Sequence, residues 1–296
     1  MPNTEYVVCC DSAADLTLEE CNSRNIKSVP YKYMLGEKEY LDDLVTITPE
    51  KFFKTMEEGA MTRTSQPNAE DFVKFWEPYL NEGKDIVHLC LSSGLSGGFI
   101  SATVAKGLCA EKYPGRKIYV IDSLAASRGL GLFADKLADL RDEGKSAEEV
   151  YNWAEEHKLN LHHWFYTTDL TYFIRGGRVS KVSGWFGSLL NICPLLHVDY
   201  EGHLIPVKKC RGKKAVMQAM LDMMAENAEN GDDYSEKSFI CNAMREKEAD
   251  EIAGQVESRY KKLNGKVHIG YIGPVIGAHT GPGTVALFFW GKKRTK

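Results

Sequence analysis

The stretch with the clearest chemical potential is a run of serine and glycine, Ser92-Ser93-Gly94-Leu95-Ser96-Gly97-Gly98. The surrounding pattern predicts an apolar strand over 85–91 and a helix over 97–110. A turn between a strand and a helix N-terminus directs backbone N–H groups and hydroxyls toward one point, where unpaired amides and the helix dipole favour negative charge. We therefore expect a carboxylate, a phosphate or an oxyanion at this turn.

Two further polar turns follow predicted strands. The strand Tyr6–Cys10 ends in Asp11-Ser12, and a strand over 117–122 ends in Asp122-Ser123. Because ligands collect at the carboxyl ends of parallel strands, the three turns predict a cleft along one edge of a sheet. The alternative is that each aspartate or serine only caps the helix that follows.

The elements that would position these turns alternate along the first half of the chain. Helix starts are indicated by capping boxes at Thr17-x-x-Glu20 and Ser146-x-x-Glu149, by Asn68-x-x-Asp71, and by Thr48-Pro49-Glu50 with Gly59 beyond the helix end. Strands that alternate with helices predict a parallel sheet with helices on its faces.

The composition changes after residue 158. Aromatic and aliphatic residues gather over 161–200, a hairpin is expected around Glu201-Gly202, and Val285–Trp290 reads as the final strand. We expect two α/β domains, 1–158 and 159–296, the first with a parallel sheet flanked by helices and the second with a mixed sheet and helices.

Charge and cysteine content exclude several classes of protein. The net charge is −4 and no basic run occurs beyond 292–294, so a nucleic-acid surface is not expected. The N-terminus lacks the pattern of a signal peptide, and no apolar run is long enough to cross a bilayer, so we expect a cytoplasmic protein without stable membrane insertion. Eight cysteines without a Cys-x-x-Cys pair suit reduced core thiols, and no metal site is expected.

Several motifs occur together in an order and approximate spacing that are typical of one family. They are Asp11-Ser12-Ala13-Ala14-Asp15-Leu16, Thr64-Ser65-Gln66-Pro67, Leu91-Ser92-Ser93-Gly94-Leu95-Ser96-Gly97, Arg175-Gly176-Gly177-Arg178-Val179, Pro194-Leu195-Leu196 and Gly277-Ala278-His279-Thr280-Gly281-Pro282-Gly283. On these motifs the chain resembles the bacterial DegV family over nearly its whole length. The resemblance implies a lipid-binding protein rather than an enzyme, with one long-chain fatty acid held between its two domains and no other cofactor.

The resemblance also implies which residues meet the acid. The carboxylate is expected to contact the hydroxyls of Thr64 and Ser96, with His279 and Arg211 completing the network. Two hydroxyl donors, the amides of a helix start and one cation can satisfy the lone pairs of a carboxylate. The alternative is that Thr64 is a turn residue and Ser96 a helix cap. Further candidates for the polar rim are Ser93 and Ser65.

The hydrocarbon tail is expected to supply most of the affinity. Burial of about 16 carbons at about 0.8 kcal/mol per methylene gives an upper limit of roughly 12 kcal/mol, against about 1 to 3 kcal/mol for each head-group hydrogen bond. We assign the tail to the aromatic-rich second domain, although ordinary core packing would also account for such residues. The candidate walls are Phe173, Trp185, Phe186, Leu189, Leu190 and Ile192.

A partner protein is implied by the same resemblance. Family members that pair with a kinase present the carboxyl group of the bound acid for phosphorylation to an acyl phosphate. The second arginine of Arg175-Gly176-Gly177-Arg178 corresponds to the position associated with kinase docking, so we expect Arg178 to contact such a subunit. The alternative is an arginine at the surface without a partner.

Two other functions compete with lipid binding. Gly94-Leu95-Ser96-Gly97-Gly98 fits the G-x-S-x-G elbow of an α/β-hydrolase, and Asp122 and His279 follow in the chain order of a serine esterase. No His-Gly-Gly-Gly run supplies a second oxyanion donor, and Gly98 stands where DegV-like chains usually carry a hydroxyl residue. A nucleotide site would rest on the Ser/Gly turn alone, because both phosphate-binding glycine motifs are absent from the sequence.

Overall fold

The carboxyl edge of a parallel sheet is the frame on which the polar turns sit. The computed structural model describes residues 5–43, 45–179 and 191–295. The strands of these residues are β1 Tyr6–Asp11, β2 Ile26–Val29, β3 Lys32–Leu35, β4 Lys38–Leu41, β5 Thr62–Ser65, β6 Asp85–Cys90, β7 Ile118–Asp122, β8 Leu161–Tyr166, β9 Ile192–Val198, β10 Leu204–Arg211, β11 Ser238–Asn242, β12 His268–Tyr271 and β13 Val285–Trp290. The helices are α1 Leu18–Ser23, α2 Pro49–Glu57, α3 Ala69–Asn81, α4 Gly98–Lys112, α5 Ser127–Asp142, α6 Ala147–His157, α7 Thr171–Gly176, α8 Gly212–Asn227, α9 Glu246–Arg259 and α10 Pro274–Thr280.

The first sheet is parallel throughout, with the strand order β2-β1-β6-β7. Its central strands β1 and β6 are almost entirely buried, as expected for a parallel sheet that helices cover on both faces. The crossovers between its strands carry α1, α3 and α4. The predicted parallel sheet of the first half is therefore confirmed.

Helix starts in this half follow the predicted caps. Thr17 accepts from the backbone N–H of Glu20 at 3.1 Å, and the Glu20 carboxylate accepts from the backbone N–H of Thr17 at 2.8 Å. The same reciprocal pair occurs at Asn68 with Asp71 and at Ser146 with Glu149. These bonds satisfy amides that lack partners inside the helix, so the local sequence fixes where each helix begins.

The second half forms a mixed sheet, as the sequence predicts, and its strand order is β10-β9-β8-β13-β11-β12. Only β11 and β12 run parallel, and the other neighbours are antiparallel. The hairpin between β9 and β10 turns at Gly202, whose φ of +80° favours glycine. The Ser92 hydroxyl donates to the Gly202 carbonyl at 2.8 Å, so the hairpin tip contacts the Ser/Gly turn of the first half.

Two elements near the polar turns were not predicted. A small antiparallel sheet has the order β4-β3-β5, and its strand β5 includes Thr64, for which a turn was the alternative interpretation, and Ser65. The glycine-rich stretch before β13 begins inside helix α10, which starts with Pro274 at its first position and is followed by Gly281 at φ +69°. Proline at the start and glycine just beyond the end are ordinary helix signals, so this helix was detectable.

Helix α5 joins the two halves. It packs against β1 of the first sheet and against β8, β11 and β13 of the mixed sheet. One hydrophobic cluster includes residues of both halves on either side of it. The strands of the first two sheets precede residue 158 and those of the mixed sheet follow it, and we propose the domain boundary there.

Among the described residues, no helix has both the length and the apolar character that crossing a bilayer requires.

Candidate functional site

A cavity of about 370 Å³ lies where the two halves meet. This volume falls within the roughly 300–1,000 Å³ that is common for small-molecule sites. Its polar mouth consists of exposed or half-buried residues, Thr64, Ser65, Gln66, Ser96, Arg178 and His279. Its interior is buried and mainly apolar, with Leu91, Phe165, Phe173, Val198, Leu204 and Phe288 among its walls. The cavity thus changes from polar to apolar with depth.

Thr64 and His279 meet at one side of the mouth. The Thr64 Oγ1 atom lies 2.7 Å from Nε2 of His279. Pairing of Thr64 with Tyr33 in β3 positions the hydroxyl, and the last turn of α10 positions the imidazole. Burial, together with the nearby charge of Arg178, lowers the pKa of His279 to about 4. The imidazole is therefore neutral at pH 7, with one nitrogen as donor and the other as acceptor.

Ser96 occupies another side of the mouth, in the turn before α4. Its hydroxyl donates to Oε1 of Gln66 at 3.1 Å and accepts from the backbone N–H of Gly98 at 3.2 Å. The Tyr31 hydroxyl lies 3.3 Å from Ser96 Oγ. Since Thr64 and Ser96 line the same cavity, the structure brings together the two hydroxyls that the resemblance selected.

The cation at the mouth is Arg178. Its guanidinium donates to the carbonyl of Gly176 at 2.7 Å and to that of Leu95 at 3.4 Å. Ser65 also lines the mouth, whereas Ser93 is exposed beside it, with its backbone N–H bonded to Asp122 at 3.0 Å.

Arg211 is not brought to the cavity. Leu204, at the other end of β10, lines the interior, and the seven steps from Leu204 to Arg211 at about 3.3 Å each place Arg211 roughly 20 Å further along the strand. Arg211 is exposed and pairs with Ile192 in β9. The expectation that Arg211 completes the carboxylate network therefore does not fit this structure, in which Arg178 is the arginine that lines the cavity.

Of the predicted tail walls, Phe173 lines the cavity. Its ring stacks on that of Phe165, with centroids 5.9 Å apart. Ile192 lies at the same strand end as Arg211, away from the cavity. The remaining candidates, Trp185, Phe186, Leu189 and Leu190, lie outside the described residues.

Sequence reasoning missed most of the interior walls. His163 and Phe165 of β8, and Ala286 and Phe288 of β13, face the cavity at alternate positions. Side chains alternate between the faces of a strand, but β13, with the sequence VALFFW, is apolar throughout, so no change of polarity marked the face that lines the cavity. Tyr31 gave no signal either, because it lies in the short connection between β2 and β3.

The geometry of Ser96 does not match a serine esterase. Its hydroxyl bonds to Gln66 and Gly98, whereas His279 bonds to Thr64. Asp122 accepts from the backbone N–H groups of Ser93 and Leu124. The nucleophile–base hydrogen bond that defines such a site is therefore not formed between Ser96 and His279.

A buried group of Asp11, His88 and Cys90 has the proximity of metal ligands. Within the described residues, however, both carboxylate oxygens of Asp11 and both ring nitrogens of His88 already have protein partners. A metal would have to displace these bonds, so this group carries no metal-site proposal.

Comparison with known proteins points to one family. A sequence model described as an uncharacterised protein family, DegV, matches residues 5–292. A DegV domain-containing protein from Clostridium perfringens is 35% identical over 288 residues, covering 97% of this chain and 98% of that protein. A protein from Thermotoga maritima named fatty acid-binding protein is 33% identical, with 94% of each chain covered. A solved structure that describes fatty acid binding by a DegV family protein from Thermus thermophilus has a TM-score of 0.86 at 28% identity, covering 97% of this chain and all of that one.

Proposed function

The chain belongs to the DegV family, and on that premise we propose that it binds one long-chain fatty acid, with the carboxylate at the polar mouth and the hydrocarbon tail in the interior. The observation that carries this proposal is the gradient from polar to apolar along one cavity. An amphipathic chain matches such a gradient, because its methylenes gain about 0.8 kcal/mol each on burial while its charged head requires donors.

The donors suit a carboxylate. Thr64 and Ser96 each supply a hydroxyl proton, neutral His279 supplies a ring nitrogen, and Arg178 supplies positive charge. Hydrogen bonds to a charged carboxylate are roughly twice as strong as neutral ones, so these groups fix the orientation of the head group. The buried methylenes of the tail contribute most of the affinity. Two related proteins are described by fatty acid binding, which supports the same ligand class here.

Presentation of the bound acid to a kinase is the second part of the proposal. Arg178 is exposed at the mouth, beside the position of the carboxylate, where a partner subunit can reach both. A kinase docked there would transfer a phosphoryl group from a nucleoside triphosphate to a carboxylate oxygen, giving an acyl phosphate and a nucleoside diphosphate. A cytoplasmic location fits this role, because all eight cysteines are free thiols.

The ligand can be identified directly. Purified protein extracted with organic solvent should yield a free fatty acid in about equimolar amount by mass spectrometry, and delipidated protein should bind palmitate in a titration. Protein that carries no fatty acid and gives no saturable binding of palmitate or oleate would overturn the proposal. Ester hydrolysis that is lost in Ser96→Ala would instead favour the esterase.

The kinase step has its own test. Arg178→Ala should weaken binding to a kinase subunit and lower phosphorylation of bound palmitate. Arg175→Ala removes the neighbouring arginine, which stacks on Tyr172 and does not line the cavity, and serves as the matched control. Unchanged kinase binding and unchanged phosphorylation in Arg178→Ala would exclude this role for Arg178.

A further inference from the structure

The side-chain amide of Gln66 links the end of β5 to the start of α4. Its Oε1 accepts from the Ser96 hydroxyl at 3.1 Å, and its Nε2 donates to the hydroxyl oxygen of Ser101 at 3.2 Å. Gln66 follows directly after β5, Ser96 lies just before α4, and Ser101 lies in the first turns of that helix. One amide thus lies between two serine hydroxyls, of which Ser96 lines the cavity and Ser101 does not.

Gly97, the residue before α4, leaves room for this amide. A Cβ atom at position 97 would lie 2.9 Å from Nε2 and 3.0 Å from Oε1 of Gln66, which is too close for unstrained packing. Because the two distances are nearly equal, a half-turn about the Cγ–Cδ bond of Gln66 exchanges the oxygen and the nitrogen without changing the space that the amide fills. The space beside Gly97 therefore fits the amide in either orientation.

Both orientations of the amide also have hydrogen-bond partners, since a serine hydroxyl can donate or accept. In the orientation of the structure, the single hydroxyl proton of Ser96 lies on the Gln66 oxygen, so a ligand cannot accept it. In the other orientation, the amide N–H donates to the Ser96 oxygen and the Ser101 hydroxyl donates to the amide oxygen. Ser96 then accepts from Gln66 and from the backbone N–H of Gly98, and its own proton is free for a ligand.

We propose that Gln66 is a positioning residue for the carboxylate site, and that its amide turns over when a fatty acid binds. This inference rests on the proposed function and adds to it the group that releases the Ser96 proton. A carboxylate can only accept hydrogen bonds, so it needs that proton. If the amide did not turn, the Ser96 oxygen would face the Gln66 oxygen with no proton between them. The turned amide supplies this proton, and every hydrogen bond around Ser96 is then made.

A double-mutant cycle with Ser96 tests whether Gln66 acts through that hydroxyl. Gln66→Met keeps the length of the side chain and removes the amide, and it should weaken palmitate binding about fivefold, which corresponds to about 1 kcal/mol. In a Ser96→Ala background the same substitution should change the affinity by less than about twofold, because no hydroxyl remains to be positioned. Equal losses in the two backgrounds, or no loss in Gln66→Met alone, would overturn the proposal.

Gly97→Ala disturbs the amide without changing Gln66 itself. Gly97 has a φ of −78°, which alanine also adopts, so the added methyl group acts on the neighbouring amide rather than on the backbone. Palmitate binding should weaken about threefold or more, approaching the loss in Gln66→Met. Gly107→Ala is the matched control, because Gly107 lies in the same helix with open space around its Cβ position. Wild-type affinity in Gly97→Ala, or the same loss in Gly107→Ala, would contradict the positioning role.

The turn of the amide can be observed separately from the affinity. In NMR spectra, the Gln66 NH2 protons are identified by their absence in Gln66→Met. Their nuclear Overhauser contacts should move from the Cβ protons of Ser101 in delipidated protein to those of Ser96 when palmitate is added. Palmitate binding with the contacts still at Ser101 would overturn this inference and leave the proposed function standing. Wild type that does not bind palmitate would overturn the proposed function, and this inference with it.

Discussion

The pairing of Thr64 with His279 bears on which head group the proposed site accepts. Because burial holds the imidazole neutral at pH 7, the pair presents hydrogen bonds rather than a fixed positive charge. The only cation among the described lining residues is Arg178, and it already donates to two backbone carbonyls. With a carboxylate seated as proposed, the mouth therefore binds it mainly through hydroxyl groups.

Thr64→Val tests this point, since valine keeps the shape of threonine and removes the hydroxyl. We expect palmitate to bind about tenfold more weakly, a loss of about 1.4 kcal/mol, as measured by isothermal titration calorimetry. Thr62→Val is the control, because Thr62 lies on the same strand and its hydroxyl donates to the Ala278 carbonyl outside the cavity. Similar losses in both variants would mean that strand packing, not the Thr64 hydroxyl, sets the affinity.

His163, on the cavity wall, links stability to pH. Burial lowers its pKa well below the usual value, and its Nε2 accepts from the backbone N–H of Ala126 at 3.4 Å. The unfolded chain binds a proton at this histidine below about pH 6.5 and the folded chain does not, so the stability that His163 contributes falls as the pH falls.

We expect the free energy of unfolding to fall more steeply in wild type than in His163→Asn between about pH 6 and pH 5, by up to roughly 1.4 kcal/mol per pH unit. Urea unfolding at several pH values measures both slopes. Other groups that titrate in this range contribute equally to both proteins. Parallel slopes would show that His163 is protonated in the folded state.

At the scale of elements, the contact between the β9–β10 hairpin and the Ser/Gly turn shapes the site. A Cβ at Gly202 would lie 2.1 Å from Ser92 Oγ, and one at Gly94 would lie 2.9 Å from the Gly202 carbonyl oxygen. The two turns approach at backbone distance, and this approach places Val198 and Leu204 next to the turn that carries Ser96.

Gly202→Ala should destabilise the protein by more than the roughly 1 kcal/mol expected from a left-handed backbone alone. Gly83→Ala is the control, because Gly83 has a φ of +76° against +80° at Gly202 and open space around its Cβ position. Chemical denaturation of both variants gives the comparison. Equal destabilisation would indicate that the close approach contributes nothing measurable.

The elements that depend on neighbouring residues could be predicted from the sequence. Those that depend on contacts between distant residues could not. The caps at Thr17, Asn68 and Ser146 each act within one helical turn, so the sequence alone sufficed. Strand β5 was missed because its pairing with β3 depends on residues about thirty positions away. The Tyr31 hydroxyl donates to Asp11, which lies twenty residues earlier in the chain, and no local pattern encodes this tertiary contact.

At the scale of the whole molecule, the cavity belongs to neither half alone. Ser96 comes from the first half, Phe165 and Phe288 come from the second, and α5 packs between the sheets of both. A ligand that fills this space joins the two halves, so occupancy should contribute directly to the stability of the folded chain.

Delipidated protein should therefore melt at a lower temperature than protein with palmitate. At a free ligand concentration one hundred times Kd, binding adds about 2.7 kcal/mol, which corresponds to a rise of several degrees in Tm for a chain of this size. Differential scanning fluorimetry measures the shift. Octanoate has the same head group and a shorter tail, and at the same concentration it should give a much smaller shift in Tm. Equal shifts would mean that contacts with the head group, not with the tail, supply most of the binding free energy.

The mouth of the cavity is exposed to solvent and its apolar interior is not. The mouth residues Ser65, Gln66 and Arg178 are exposed, whereas the apolar walls behind them are buried. With a fatty acid seated as proposed, water-borne reagents would meet the acid function alone, while the alkyl portion stays shielded. An enzyme in water would then react with the acid group of a poorly soluble lipid in the same way as with that of a small polar metabolite.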